Sequence, residues 1–221
     1  MVSSLCETSS FGLIDSFPCA LCHPIRNLSA SLLSEVANIG YNATKKIHYY
    51  GVKFSVLVSD RGFPLDYVVT SASVYDSQVA FELLEHSSIP LIYRDKGYID
   101  KQVKKELANC GITLISQLRK NMADYSWFEN YKISRLRKPI ETVFSSLEQF
   151  GIENLRCRNL RALQFRVEAI LLIYSLMLEN SQNEFGLSLK YSKAYAWLTS
   201  TTGIYNLSID YRSISVQFQH P

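Results

Sequence analysis

The feature that most constrains this chain is a set of three acidic residues, Asp15, Asp95 and Glu141, whose local sequences predict strand, strand and helix. Asp15 lies in a short apolar run that stops at a proline, and Asp95 directly follows a second apolar run. The separations, 95 − 15 = 80 and 141 − 95 = 46 residues, leave room for a hairpin, helices and another strand. Carboxylates that converge from two strands and one helix can hold a pair of divalent metal ions.

The hydrophobic pattern between and beyond these acids predicts alternating strands and helices. The clearest element is a β-hairpin, because Lys53–Ser59 and Leu65–Ser71 alternate, are rich in β-branched residues and flank a glycine-containing turn. The other predicted elements are strand Phe11–Phe17, helix Asp76–His86, strand Pro90–Tyr93, a helix over 100–109, strand Ile112–Ile115, a helix over 138–150 and helix Ala162–Glu179. This order matches the ribonuclease H-like fold: an α/β protein with a mixed five-stranded sheet flanked by helices.

Three further predictions concern one irregular segment and the starts of two helices. The segment Cys19–Tyr49 is polar and irregular, so no strand is expected there. Asp76 is expected to cap the helix that it begins. The helix that carries Glu141 is expected to begin near Lys138, after an aromatic connector, with Pro139 tolerated in its first turn.

Basic residues are concentrated around the third acid. The whole chain carries a net charge of only +3, but residues 117–166 contain ten Lys or Arg and five Asp or Glu, a local balance of +5. The remaining segments therefore sum to −2. A basic segment of this kind fits a phosphate-backbone partner, and a solvated helical face is the alternative.

The run Cys19-Ala-Leu-Cys22-His23 matches the pattern for covalent haem attachment. We expect no haem, because no export signal and no candidate axial methionine lie nearby. We also expect no zinc site, because His48 and His86 are isolated and supply no second ligand pair. An odd total of five cysteines fits reduced thiols in the cytosol.

No segment has the length of a membrane span. The longest apolar run, Ala169–Leu178, has 10 residues, whereas about 20 are needed to cross a bilayer. The N-terminus has no basic region followed by an apolar stretch, so no signal peptide is expected. These observations predict a cytoplasmic protein with no membrane partner.

Five segments together resemble the catalytic part of the IS982-like insertion-sequence transposases, which belong to the DDE class. They are Ile14–Asn27, Tyr50–Ser77, Ile92–Tyr98, Leu118–Met122 and Leu136–Arg158. The resemblance implies a DNA transposase that cleaves and joins insertion-sequence ends by metal-dependent in-line phosphoryl transfer. It further implies a two-ion site for Mg²⁺ (or Mn²⁺), DNA as the partner, and a homodimer in the transposition complex.

The resemblance also implies how the chain is divided. The similar transposases carry a helical DNA-binding region before the first strand, so this chain is expected to be N-terminally shortened. Residues 1–180 are expected to form the catalytic domain. Residues 181–221 are polar, aperiodic and without a counterpart in the family, and we expect either a disordered tail or a readthrough tail from a decayed element.

By resemblance, Asp15, Asp95 and Glu141 are the catalytic residues and metal ligands, with Asp15 facing both ions. A Tyr, Arg, Glu, Lys signature marks the glutamate helix in related enzymes. Only Arg137 and Glu141 match it here, because Ser134 and Glu148 stand at the other two positions. The predicted DNA-backbone contacts are Lys96, Arg119, Lys120, Arg137, Arg156, Arg158 and Arg161.

Each acid also has a purely structural alternative. Asp15 can be a turn residue, Asp95 a loop residue placed by the nearby glycine, and Glu141 a first-turn glutamate favoured by the helix dipole. Two alternatives for function remain beside the transposase. One is a ribonuclease H-like nuclease that only hydrolyses, and the other is an inactive, truncated transposase remnant with non-specific DNA binding.

Overall fold

A mixed sheet of six strands organises the part of the chain that the computed structural model describes, namely residues 9–43, 45–95, 101–118, 120, 125–155 and 157–185. All of these residues belong to one compact unit. The strands are β1 Gly12–Ala20, β2 Asn38–Asn42, β3 Ile47–Ser59, β4 Pro64–Ser71, β5 Leu91–Arg94 and β6 Thr113–Ser116. The helices are α1 Asp76–Leu84, α2 Lys101–Asn109, α3 Trp127–Gln149 and α4 Leu160–Phe185, with short 3-10 helices at Pro24–Ser29 and Ile152–Asn154.

Strand β1 lies at the centre of the sheet. It runs antiparallel to β3 on one side and parallel to β5 on the other, and β6 follows parallel to β5. Gly51 of β3 pairs with Ala20 of β1 on one side and with Asn38 of β2 on the other. Strands β2 and β4 therefore both pair with the side of β3 that faces away from β1. This is the α/β arrangement of the ribonuclease H-like fold that the sequence predicts.

The alternation of side chains along β1 divides the core into two layers. Leu13 and Phe17 belong to a large apolar cluster with Ile140 of α3 and Leu163 of α4. Their neighbour Ile14 belongs to a second cluster on the other face, with residues of α1 and α2. The sheet is therefore covered by α3 and α4 on one face and by α1 and α2 on the other.

The prediction of five strands was wrong by one, because β2 lies within a segment predicted to be irregular. The sequence of β2, Asn-Ile-Gly-Tyr-Asn, is poor in strand-forming residues, so its local pattern is weak. Pairing with β3 supplies what the local pattern lacks, and β3 itself begins at Ile47 rather than at Lys53. A Cβ at Gly40 would collide with the backbone of Ala72, so close approach of the two segments requires glycine there.

The predicted start of α3 was also wrong, since the helix begins at Trp127. The Ser126 hydroxyl accepts a hydrogen bond from the Glu129 N–H and caps the helix. The Asn130 side chain then bonds to both backbone groups of Leu118, at 2.9 Å each, and ties the first turn to the end of β6. Pro139 therefore lies inside the helix, where it cannot donate a hydrogen bond to the preceding turn.

Asp76 is not the cap of α1 that the sequence predicts. Tyr75 is the N-cap, without a side-chain hydrogen bond, and Asp76 is the first helical residue. The Asp76 carboxylate instead accepts hydrogen bonds from the Ser16 hydroxyl and the Lys53 ammonium. The contacts available from the sheet, rather than the free N–H groups of the helix, determine where this side chain points.

The hairpin, the strands β5 and β6 and the stops of α2 and α3 agree with the sequence prediction. Gly111 and Gly151, with φ of +80° and +81°, follow the ends of α2 and α3. The apolar helix α4 is longer than predicted at both ends and continues to Phe185. Among the described residues, no helix combines the length and the apolar character needed to cross a membrane.

Candidate active site

The first two predicted acids lie side by side in the sheet. Gly12 pairs with Ile92 and Leu13 with Tyr93, a constant offset of 80 residues between the parallel strands β1 and β5. The same offset separates Asp15 from Asp95, which directly follows β5. Neighbouring strands are about 4.8 Å apart. The register therefore brings the two carboxylates together on the face that α3 covers.

Arg137 of α3 bridges the two aspartates. Its Nη2 is 2.9 Å from Asp15 Oδ2, and its Nη1 is 3.1 Å from Asp95 Oδ1. The arginine side chain is only 10% exposed, compared with 26% for Asp15 and 49% for Asp95. One guanidinium therefore serves two carboxylates, and the pair of acids keeps an excess of one negative charge by formal count.

The pKa of Asp15 is raised from 3.8 to about 6. Burial is the largest cause, because it removes water from the charged form, and the negative charges of Asp95 and Asp76 act in the same direction. The Arg137 guanidinium and a hydrogen bond from the Ser16 N–H partly oppose this rise. A carboxylate held in this way gains from any additional positive charge placed beside it.

Glu141 lies one helical turn beyond Arg137, and its side chain is exposed. Pro139 lies between the two residues, within the same turn of α3. Among the residues that the structure describes, no group of three or more His, Cys, Asp or Glu side chains is arranged to hold a metal ion. The structure thus brings two of the predicted acids together around an arginine, with the third on the helix that supplies the arginine.

A second charged cluster, which the sequence reasoning missed, lies on the opposite face of β1. Ser16, next to Asp15, donates a hydrogen bond of 2.9 Å to Asp76, and Lys53 of β3 lies 2.8 Å from the same carboxylate oxygen. Lys53 also donates to the Val74 carbonyl at 2.8 Å. A lysine between the apolar residues of a predicted strand was the available signal. In β3 Lys53 is half-buried, and all the other residues from Tyr49 to Ser59 are buried.

The predicted DNA-binding residues fall into three groups. Lys120, Arg158 and Arg161 are exposed, as a backbone contact requires. Arg137 is buried and bound to the aspartates. The remaining three, Lys96, Arg119 and Arg156, lie outside the described residues.

The cysteine–histidine run serves the local structure. Cys19 is buried in the core, and burial raises its thiol pKa to about 12. The His23 side chain accepts a hydrogen bond from the Ile25 N–H and caps the first 3-10 helix. Cys22 and His23 also line a cleft of about 740 Å³ at the end of β1, with Lys45 and Glu153 in its wall. Asp15, Asp95 and Arg137 do not line this cleft.

Comparison with known proteins identifies the family. No curated protein matches the chain. A solved structure that is similar is the cryo-EM structure of the piggyBac transposase synaptic complex with hairpin DNA, at 11% sequence identity and a TM-score of 0.46. The match covers 90% of this chain and 54% of that one, so the chain spans about half the length of this relative. The model of the transposase DDE domain matches residues 7–176, and the chain therefore belongs to the transposase DDE domain family.

Proposed function

We propose that this chain is the catalytic domain of a DNA transposase of an IS982-like insertion sequence, which cleaves and joins the element's ends by in-line phosphoryl transfer. The observation that carries the proposal is the register of β1 and β5, which aligns Asp15 with Asp95 on the face of the sheet that bears α3. Membership of the transposase DDE domain family supports the same activity. We further propose that it acts in the cytoplasm, on DNA, as a homodimer.

The residues present fit a divalent metal pair in their donor chemistry. Asp15 and Asp95 offer hard carboxylate oxygens, and they already share one cationic partner, Arg137. We propose that these two aspartates, with Glu141, hold Mg²⁺ or Mn²⁺. When bound, such ions activate the attacking hydroxyl and stabilise the leaving oxygen.

Basic side chains supply binding and orientation in this proposal. The exposed cations Lys120, Arg158 and Arg161 would contact the phosphate backbone without reading sequence. Arg137 offers a guanidinium whose two terminal nitrogens match the geometry of a phosphate. Its attachment to α3 directs it toward the aspartate pair, where the scissile phosphate has to lie.

The test is cleavage of DNA that carries the ends of the element, with Mg²⁺ or Mn²⁺. Asp15→Asn, Asp95→Asn and Glu141→Gln should each lower the rate about 1000-fold, because metal-assisted charge stabilisation contributes several kcal/mol. Asp66→Asn is the matched control. Asp66 is an exposed acid of β4, so its replacement should leave the rate unchanged.

The products separate the transposase from its alternatives. Joining of a cleaved end to a second DNA supports a transposase, whereas release of cleaved ends with no joined product identifies a nuclease. If the unsubstituted chain shows neither activity with either metal, it is an inactive remnant and the proposal is wrong. A rate unchanged in Glu141→Gln would remove that residue from the site.

A further inference from the structure

The contact between Arg137 and the aspartate pair occupies one oxygen of each carboxylate that a metal would need. Its two terminal nitrogens take Asp15 Oδ2 and Asp95 Oδ1, one oxygen from each carboxylate. A guanidinium and a divalent cation cannot occupy the space between these two oxygens together, because both are positively charged and both require direct contact. A divalent cation held by these two oxygens and the bound guanidinium therefore exclude each other.

The contact is strong but incomplete. Arg137 Nε is buried and has no hydrogen-bond partner among the described residues, so one of the arginine's donors is unsatisfied while it holds the aspartates. The residue also lies two positions before Pro139, where the helix lacks a backbone hydrogen bond. Both features lower the cost of moving this side chain away from the aspartates.

We infer that Arg137 is a latch: it occupies the aspartate pair in the absence of DNA and transfers to a DNA phosphate when DNA binds, which opens the pair to metal ions. The inference rests on the proposed function. A phosphate is a bidentate partner for a guanidinium and replaces the carboxylates without loss of charge pairing. Release of the latch leaves two aspartates without a cation, and Glu141 is one turn away on the same helix.

Such a latch makes metal binding and DNA binding mutually dependent. If DNA removes a positive charge from the site, it tightens metal binding, and by linkage the metal tightens DNA binding by the same factor. In the absence of DNA, the chain would then bind its metal weakly. The side chain that neutralises the acids in the resting state would be the one that senses the substrate.

The experiment is titration of the metal-free chain with Mn²⁺, followed by the electron paramagnetic resonance signal of the free ion. It is done with and without a short duplex DNA of mixed sequence, and DNA alone is measured as the background. Arg137→Gln should bind Mn²⁺ about tenfold more tightly than the unsubstituted chain when DNA is absent, because a competing unit charge has been removed from contact distance. Added DNA should tighten Mn²⁺ binding to the unsubstituted chain and have little effect on Arg137→Gln.

Arg135→Gln is the matched control, because it removes the same charge from an exposed position on the same helix. It should behave as the unsubstituted chain does. Circular dichroism verifies that each variant is folded. If Arg137→Gln does not fold, Arg137→Lys replaces it, since a single ammonium cannot bridge both carboxylates as a guanidinium does, and it should also bind Mn²⁺ more tightly.

The outcomes separate the latch from the proposed function. Equal or weaker Mn²⁺ binding by the folded Arg137 variant in the absence of DNA overturns the latch and leaves the metal site standing. An equal gain in Mn²⁺ affinity in Arg135→Gln also overturns the latch, because the gain would then follow from the lower net positive charge of the protein. If no variant binds Mn²⁺ even with DNA, the metal site itself is wrong and the latch fails with it.

Discussion

The two faces of strand β1 carry similar charges in different balance. On the face covered by α3, Asp15 and Asp95 share one cation, Arg137. On the face covered by α1, a single aspartate, Asp76, has its own cation, Lys53, and a hydrogen bond from Ser16. Adjacent residues of one strand thus belong to two different kinds of polar site.

The difference is in how many carboxylates each cation serves. Around Asp76 one carboxylate faces one ammonium, and Lys53 is anchored by a carbonyl as well as by the carboxylate. The pair around Arg137 keeps an excess negative charge and a buried nitrogen without a partner among the described residues. Such an imbalance costs stability, which is expected where a binding site has to accept a further cation.

The largest expected effect on folding is a gain from removing the charge of Asp15. Its folded-state pKa, about 6, is above the ordinary 3.8, so the folded protein binds this proton more tightly than the unfolded chain does. Stability therefore falls as pH rises from about 4 to 6 and is level above that. In a metal-free buffer at pH 8, Asp15→Asn should raise the free energy of unfolding by up to about 3 kcal/mol, and this gain should vanish below about pH 4.

Urea unfolding at a series of pH values measures this effect. Asp66→Asn, at the exposed acid, should stay within about 0.5 kcal/mol of the unsubstituted chain. A variant Asp15→Asn that is less stable than the unsubstituted chain at pH 8 would mean that the Arg137 contact outweighs burial. On both faces the cation would then stabilise its carboxylate by more than burial destabilises it.

A smaller effect, of opposite sign, is expected on the other face. Lys53→Met leaves the partly buried Asp76 without its cation and should destabilise the fold by about 2 kcal/mol, the usual cost of losing a charged hydrogen bond. Lys45→Met is the control, because Lys45 is 53% exposed in its ion pair with Glu153. It should cost less than about 1 kcal/mol. Equal losses in thermal or urea unfolding would show that the Asp76 cluster is no more than a surface ion pair.

The smallest expected effect is on the salt dependence of DNA binding, which tests which face of the sheet contacts DNA. Arg158 is exposed two residues before α4, a helix that covers the Asp15 face of the sheet, whereas Lys105 is exposed on α2, a helix that covers the opposite face. If DNA lies over the acids, Arg158→Gln should lower the slope of log affinity against log salt concentration by about 0.9, the value for one phosphate contact. Lys105→Gln should leave the slope unchanged. Fluorescence anisotropy over a salt series measures both, and a reversed result would place DNA on the wrong face for the proposed site.

The proximity of Asp15 and Asp95 follows from one local pattern that repeats in two strands. Asp15 and Asp95 each follow a short apolar run, and parallel pairing of those runs is enough to bring the acids together. The roles of Asp15, Asp95 and Glu141 in catalysis stay predictions. Glu141 was expected in a first helical turn, but α3 begins at Trp127 and places it well inside the helix. The cap by Ser126 and the tie between Asn130 and Leu118 decide that start, and the second of these is a contact that local periodicity does not contain.

The sequence by itself determined the order of the main strands and helices, the hairpin and the placement of Asp15 and Asp95 after two apolar runs, because these depend on apolar periodicity and on breakers within a few residues. Only the tertiary structure decided the edge strand β2, the partner of Asp76 and the bridge from Arg137 to both aspartates. The contact between Arg137 and Asp15 joins residues 122 positions apart. It depends on the packing of α3 against β1, and the bridge to Asp95 depends on the register of β1 with β5. Neither property is carried by any short stretch of the chain.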